Sequence, residues 1–592
     1  SPVTTPGRRL GEILRNYDAP TARADLLAGL TVAVVEVPQA MAYAYIAGVP
    51  PQYGIYTSIF QGFFGALFAS NDNLATGPTN TQSLLIAATV APLVHAIDPA
   101  DGALYLQLTI ALTLVKGLIQ LVFAAAKMGN LVRYVSQSVI VGFTAGAGVL
   151  IAAGQVGPLL GLDVSDVQRT WPGVLGRIQQ IAPHISEINP YALGIGVGAL
   201  AVVLVSRTIS RMVPGPLLAV VLTAAAVYLL GFQQAQLDLV GKLPSGLPGF
   251  KLPTIDWATA QALTGGAFAL ALLGMIETVG IGKSLAGRKG ERIDANQEFF
   301  AQGMANLLGS FFMNIPGSGS FTRSALNFMA GGRTRLAAMF NSAMMALIFL
   351  LLAPQARYIP MASLAAILFV VAYKLIDWHH IGRLVRTSQS DAAVCGITFL
   401  SALLVPLHYA IYVGIFLNIA LYLRKASHLH MAEMVRSPHG PFLERPLRRR
   451  AGEDKVIFLQ VEGDLFFGLA DELQDRLTDV AHSDAEVVII RLKRTHSIDA
   501  TVLSVLEQFV DQMLDKGGHV LLCGIRPHIH RRLQRFGLVD RLGEENVFSA
   551  STGGFASAKQ ALDQARKLAG RQLAVDQSLE MGDRHRAWAY QI

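Results

Sequence analysis

The chain has 592 residues, of which 52% are hydrophobic and 15% charged, with a mean hydropathy of +0.43. Soluble domains carry about a quarter charged residues, so a wholly soluble globular protein is excluded. The net charge of +7 gathers at helix ends and in a linker, which argues against a nucleic-acid role, and the two cysteines, Cys395 and Cys523, are spaced for neither a disulfide nor a metal site.

Residues 1–24 are polar and charged ("SPVTTPGRRLGEILRNYDAP"), read as a cytoplasmic segment without a cleavable signal. Residues 25–425 are a series of apolar runs. A membrane helix needs about 20 apolar residues. The runs predict fourteen spans, near 26–47, 54–69, 79–94, 104–126, 132–155, 190–208, 215–231, 263–286, 296–314, 320–331, 336–353, 358–376, 390–404 and 407–423. An even count puts both termini on one face. The connections assigned to that face hold Lys127, Arg133, Arg207, Arg211, Lys283, Arg288, Lys289, Arg292, Arg333, Arg335, Lys374, Arg383, Arg386, Arg424 and Lys425. The opposite connections at 48–53, 95–103 and 314–319 hold none, and the longer ones at 156–189 and 232–262 hold two each. Cytoplasmic loops collect Lys and Arg, so the termini are expected in the cytoplasm, with the chain in the cell inner (plasma) membrane.

Two polar interruptions stand out. "ATGPTNTQSLL" opens the third span and "NIPGSGSFTRS" the tenth. Glu36 in the first span and Thr79 are 43 positions apart, as are Glu277 in the eighth span and Ser320. An acid and a broken helix therefore recur at equal spacing in two seven-span halves, about 25–231 and 263–425. Seven is odd, so the second half enters from the opposite face, an inverted repeat common in secondary transporters. Pro78 removes a backbone donor and disfavours helix before it. A helix that starts late at Thr79 exposes its first N–H groups and the positive end of its dipole, and Ser320 starts a second one. Two such ends facing each other at mid-membrane form an anion site, to which Arg323 adds a full charge. Lys116, inside the fourth span, receives no site role.

These strings also resemble a known family. "EVPQAMAYA" with the later "PPQYGIY", "LATGPTNTQSLL", and "DANQEFF…GSFTRSALNFMAGGRTRL" are similar to the first, second, third, ninth and tenth spans of the SulP/SLC26 anion transporters. The resemblance implies an α-helical polytopic membrane protein of fourteen spans in a 7+7 inverted repeat. Its UraA-like core (spans one to four and eight to eleven) moves against a gate, in a homodimer embedded in the lipid bilayer. Family substrates are small inorganic or organic anions: sulfate, bicarbonate, chloride, oxalate and dicarboxylates such as fumarate. Carried over, the substrate site is Gln39, Tyr43, Thr79, Asn80, Ser320, Phe321, Thr322 and Arg323. Glu277 is the family's acid for substrate or coupling ion, and Na+ stays open as that ion.

Glu36 departs from the family, whose members commonly carry an apolar residue there. A charged acid at this depth costs about 3 kcal/mol to insert, a cost that protonation removes. Glu36 is therefore the candidate proton carrier of an H+/anion symporter; the alternative is a neutral or Arg-paired structural acid.

After the linker 426–454, residues 455–570 alternate strand and helix patterns: "VIFLQVEG", "EVVIIRL", a helix after Asp499, "HVLLCG", a helix at 526–537, "NVF" and a last helix near 554–565. This α/β domain resembles STAS, expected in the cytoplasm. The switch position of that domain falls in "SIDATV" on Thr501, the candidate regulatory residue. Residues 571–592 are a polar tail. No cofactor or metal is expected. With no nucleophile–base or metal constellation, an enzyme is not expected either. The leading reading is proton-coupled symport of a dicarboxylate or sulfate by elevator-like alternating access, the anion held between the third and tenth spans. Na+-coupled bicarbonate transport, anion exchange, an uncoupled channel and a nucleobase permease are the competitors.

Overall fold

The computed structural model describes residues 13, 15, 17–97, 101–129, 136–162, 173–209, 214–231, 237–289, 293–436, 442–446, 455–550, 556–570 and 589–590. Arg133, Arg211 and Arg292 lie outside the described residues, as do the middle of the linker and most of the tail. The described chain divides into two compact units, residues 1–419 and 420–592.

In the first unit each expected span contains a helix. The first seven are α1 (Ala19–Ile46), α2 (Pro51–Phe68), α3 (Asn80–Ile97), α4 (Gly102–Ala125), α5 (Gln137–Leu160), α7 (Pro190–Ile209) and α8 (Gly215–Leu230). The second seven are α9 (Trp257–Lys289), α10 (Ala295–Ser310), α11 (Phe321–Met329), α12 (Leu336–Leu352), α13 (Met361–Leu375), α15 (Gln389–Leu404) and α16 (Leu407–Ala426). Among the described residues, seven helical stretches are long and apolar enough to cross a membrane alone. The other expected spans are shorter or more polar.

Two connections are more structured than their sequence suggests. The 156–189 loop holds α6 (Gly173–Ile181), bent by 117° from α7. The segment between α13 and α15 holds α14 (Trp378–Thr387), no residue of which is buried.

Local chemistry sets the helix ends. Asp18, Asp101 and Asp294 cap α1, α4 and α10 with side-chain oxygens on early backbone N–H groups. Gly161 and Gly231 close α5 and α8 in the left-handed conformation.

Packing sorts the helices into two bundles. In one, α1 lies on α2 and α12, α4 on α9 and α10, and α2 on α10 and α12. In the other, α5 lies on α13 and α15, and α7 on α8 and α13. These are the core and gate of the expected architecture.

In the second unit a seven-stranded sheet has the order β8-β7-β6-β5-β3-β4-β9. Here β3 is His430–Arg436, β4 Phe442–Pro446, β5 Val456–Leu465, β6 Val487–Ile498, β7 His519–Ile525, β8 Val547–Ser549 and β9 Ala589–Tyr590. Strands β5 to β8 are parallel and connected by α17 (Ala470–Ala481), α18 (Ala500–Asp515), α19 (Pro527–Phe536) and α20 (Leu538–Leu542); α21 (Ala556–Ala569) follows. The segment read as linker is in part sheet, because β3 and β4 extend it antiparallel from β5. Tail residues 589–590 pair with β4. Leu459, Ile490, Phe509 and Leu522 are among the residues of one buried face. Cys523 is also fully buried, and burial pushes its thiol up to about 12. Thr501 is exposed on the first turn of α18, two residues past its Asp499 cap.

Candidate anion-binding site

The two interruptions meet in space. Thr76–Gly77 (β1) and Ser318–Gly319 (β2) pair antiparallel, Thr76 with Gly319 and Gly77 with Ser318. Ser320 N donates to Ala75 O at 2.8 Å. Non-helical backbone at membrane depth must be satisfied by protein, and side chains from the core complete that pairing. Ser324 Oγ accepts from Ala75 N (2.8 Å), Gln302 Nε2 donates to Thr76 Oγ1 (2.8 Å), Gln61 Nε2 to Ile315 O (2.8 Å) and Asn306 Nδ2 to Gly317 O (3.1 Å). Gly319 N donates to Thr278 Oγ1 at 3.1 Å.

Two helices start from this crossing. In α3 the first turn is tied by Asn80 Oδ1, which accepts from Thr81 N at 2.8 Å. Helical bonding begins with Ser83 N donating to Thr79 O. In α11 Ser320 is the N-cap, and bonding begins with Ser324 N donating to Ser320 O. The N–H groups of Phe321 and Thr322 therefore lie ahead of the first helical bond. Thr79 Oγ1 lies 3.4 Å from Ser318 Oγ, so the two breaks are in contact.

Charge is held close by. Arg323 and Glu36 form an ion pair, each 1% exposed. Arg323 Nη2 also donates to Pro78 O (2.9 Å), and Asn341 Nδ2 of α12 donates to Glu36 Oε2 (2.7 Å). Arg323 Nε has no partner among the described residues. A Cβ on Gly77 would stand 2.8 Å from Arg323 Nη1, so any side chain there would push the guanidinium from its place across β1. Glu277 is bound from both breaks: Thr81 Oγ1 donates to Oε1 (2.6 Å) and Ser318 Oγ to Oε2 (2.9 Å).

Thr79, Asn80, Ser320, Arg323, Glu36 and Glu277 thus gather at one crossing. Gln39 and Tyr43 are buried one turn apart on α1. Neither makes a side-chain hydrogen bond among the described residues, and Tyr43 belongs to a buried cluster that includes Ile151 and Leu368 of the gate helices. Phe321 is 58% exposed, and Thr322 is exposed beside it. The hydroxyls that touch Glu277 are Thr81 and Ser318, neither of them among the site residues expected from the sequence. Asn341 and Gln82 lie beside the crossing without having been expected there, and Lys116, given no site role from the sequence, is bonded to Gln82. A signal existed for Gln82, which stands three residues past Thr79 as Arg323 stands three past Ser320.

The sulfate permease family pattern matches residues 23–398, and the STAS domain pattern matches residues 449–552. The chain is 27% identical over 551 residues to sulfate transporter 4.1, chloroplastic, of Arabidopsis thaliana, covering 88% of this chain and 78% of that one. It is 26% identical over 528 residues to the bicarbonate transporter BicA of Picosynechococcus sp., covering 88% and 92%. Its fold matches the murine Solute Carrier 26 family member A9 anion transporter in the inward-facing state, with a TM-score of 0.83 at 21% identity over 96% of each chain. That likeness speaks for the fold, a helical membrane transporter followed by a STAS domain. The chain belongs to the sulfate permease (SulP/SLC26) family and is a polytopic anion transporter with a C-terminal STAS domain.

Proposed function

We propose that the chain is a proton-coupled symporter of a small, oxygen-rich anion, either sulfate or a dicarboxylate such as fumarate. The anion rests between the N-termini of α3 and α11, with Thr79, Asn80, Ser320, Phe321, Thr322 and Arg323 around it and Gln39 and Tyr43 on the side of α1. The observation that carries this reading is the buried Arg323–Glu36 pair beside two converging helix starts. In the paired state the guanidinium is neutralised by Glu36. A proton on Glu36 cancels the carboxylate and frees Arg323, and an incoming anion takes the place of that carboxylate on the guanidinium. Proton and anion then occupy the site together: the proton alone leaves the guanidinium bare, and the anion alone meets a guanidinium already paired. The unpartnered Nε–H of Arg323 supports the same reading, as a buried donor costs free energy until it meets an acceptor.

Movement follows the two bundles: the core carries the site and slides against the gate, elevator-like, in a homodimer in the cell inner membrane. The termini and STAS domain lie in the cytoplasm, and a phosphate at exposed Thr501 is a regulatory input. Bicarbonate is the second reading, favoured by the match to a transporter named for that anion.

The test is uptake of labelled sulfate, fumarate and bicarbonate into proteoliposomes, each under an imposed pH or Na+ gradient. Accumulation driven by a proton gradient is expected. Accumulation driven by Na+ alone contradicts the coupling.

A further inference from the structure

Lys116 sits in the middle of α4, fully buried, in a helix with no other charged residue. A charged side chain in such a place needs partners, and it has oxygen partners. Its Nζ donates to Gly317 O at 2.6 Å and to Gln82 Oε1 at 2.7 Å. Gln82 is fixed in turn, with Nε2 donating to Leu270 O at 3.2 Å. On the facing side of α9, a Cβ on Gly274 would come 3.6 Å from Nζ, and one turn on is Glu277, whose carboxylate is held by Thr81 and Ser318. A backbone carbonyl and an amide oxygen thus hold one cationic nitrogen near the Glu277 carboxylate. Hard oxygen donors of this kind suit alkali and alkaline-earth cations.

The arrangement has a counterpart in the other half. Glu36 and Glu277 are repeat-related acids, and Gln82 and Arg323 hold the same place after the two helix breaks. In one half the broken helix itself carries the cation, Arg323, that meets the acid. In the other half the same position is Gln82, uncharged, and the cation is brought to it by α4.

We infer that Lys116 is the built-in counter-cation of the site: its ammonium occupies the place between Gln82 Oε1 and Gly317 O, near the Glu277 carboxylate, that would otherwise hold an alkali cation, so anion transport by this chain needs no Na+. This rests on the reading of the crossing as the anion site, but not on which anion is carried.

The test uses the full chain in two measurements. The first needs no substrate: thermal unfolding of purified protein in NaCl against equal choline chloride. The wild-type midpoint is expected to be the same in both salts. Lys116→Met, of similar length and uncharged, is expected to unfold earlier in choline and to be restored in part by Na+ or K+. Na+-specific stabilisation of the wild type overturns the inference, and that result stands whether or not the variant folds. A folded Lys116→Met indifferent to both cations also overturns it. The second measurement is uptake, expected to be equal in Na+ and choline for the wild type. In Lys116→Met, Na+ should raise it by about 5- to 100-fold, the usual size of coupling between two ligands. Loss of transport in every salt by the wild type bears on the transport reading and leaves the unfolding result to decide the role of Lys116.

Discussion

Glu36 of the first helix and Arg323 of the tenth span form a buried ion pair across the two halves of the membrane domain, with Asn341 on the second carboxylate oxygen. Removing one member of such a pair leaves an uncompensated charge and costs about 3–5 kcal/mol. Glu36→Gln should therefore lower the unfolding midpoint in detergent and abolish the pH dependence of uptake. Adding Arg323→Met should recover most of the stability, because both charges are then gone, while uptake stays lost. Unchanged pH dependence in Glu36→Gln would remove Glu36 from the coupling scheme.

Ser320 caps α11. Aspartate caps a helix as well as serine does, so Ser320→Asp should fold normally. Its carboxylate would stand where an anion oxygen is proposed to rest. Two like charges at about 4 Å repel by about 4 kcal/mol at an effective dielectric of 20. That is enough to weaken anion binding by more than about a hundredfold. Titration calorimetry with the transported anion checks this. Wild-type affinity in a folded Ser320→Asp protein would place the anion elsewhere.

Gly77→Ala probes the same crossing without adding charge. The new Cβ would press on Arg323 Nη1 from 2.8 Å, forcing the guanidinium or β1 to shift. Overpacking of this kind costs about 1–3 kcal/mol. The expected result is a lower unfolding midpoint together with reduced uptake, whereas Gly102→Ala, which has open space at its Cβ, should be neutral in both assays.

Cys523 offers a check on the second unit. Its thiol is fully buried and pushed up to about 12, so little thiolate exists near neutral pH. Alkylation by iodoacetamide should be slow in the folded protein and become fast only on denaturation. Rapid labelling of native protein at Cys523 would contradict the packing of β7.

Much of this was legible in the sequence, for physical reasons that differ by element. The spans could be read because lipid demands long apolar runs. The breaks at Thr79 and Ser320 could be read because Gly-Pro and Pro-Gly strings interrupt helix, and their equal distance from Glu36 and Glu277 tied them together. What stayed hidden depended on contacts distant in sequence. The pairing of Glu36 with Arg323 spans 287 positions: an Arg-paired acid is one of the two sequence readings of Glu36, but nothing near it says which arginine. Lys116 receives no site role from the sequence because its partners, Gln82 and Gly317, lie 34 and 201 positions away. Strands β3 and β4 were read as linker because "HMAEMVR" and "FLERP" are short and polar, and their place is set by antiparallel pairing to β5. The helix α6 went unseen within a loop of mixed character.

Anion and proton are proposed to enter the crossing together, and the proton is the more telling of the two to follow. Proteoliposomes loaded with a pH-sensitive dye and containing the full chain would receive external sulfate or fumarate in a Na+-free medium. The account predicts that the lumen acidifies only when a transported anion is added, in step with entry of the labelled anion, and that Ser320→Asp and Glu36→Gln abolish the acidification. Entry of labelled anion with no change in lumenal pH would contradict it.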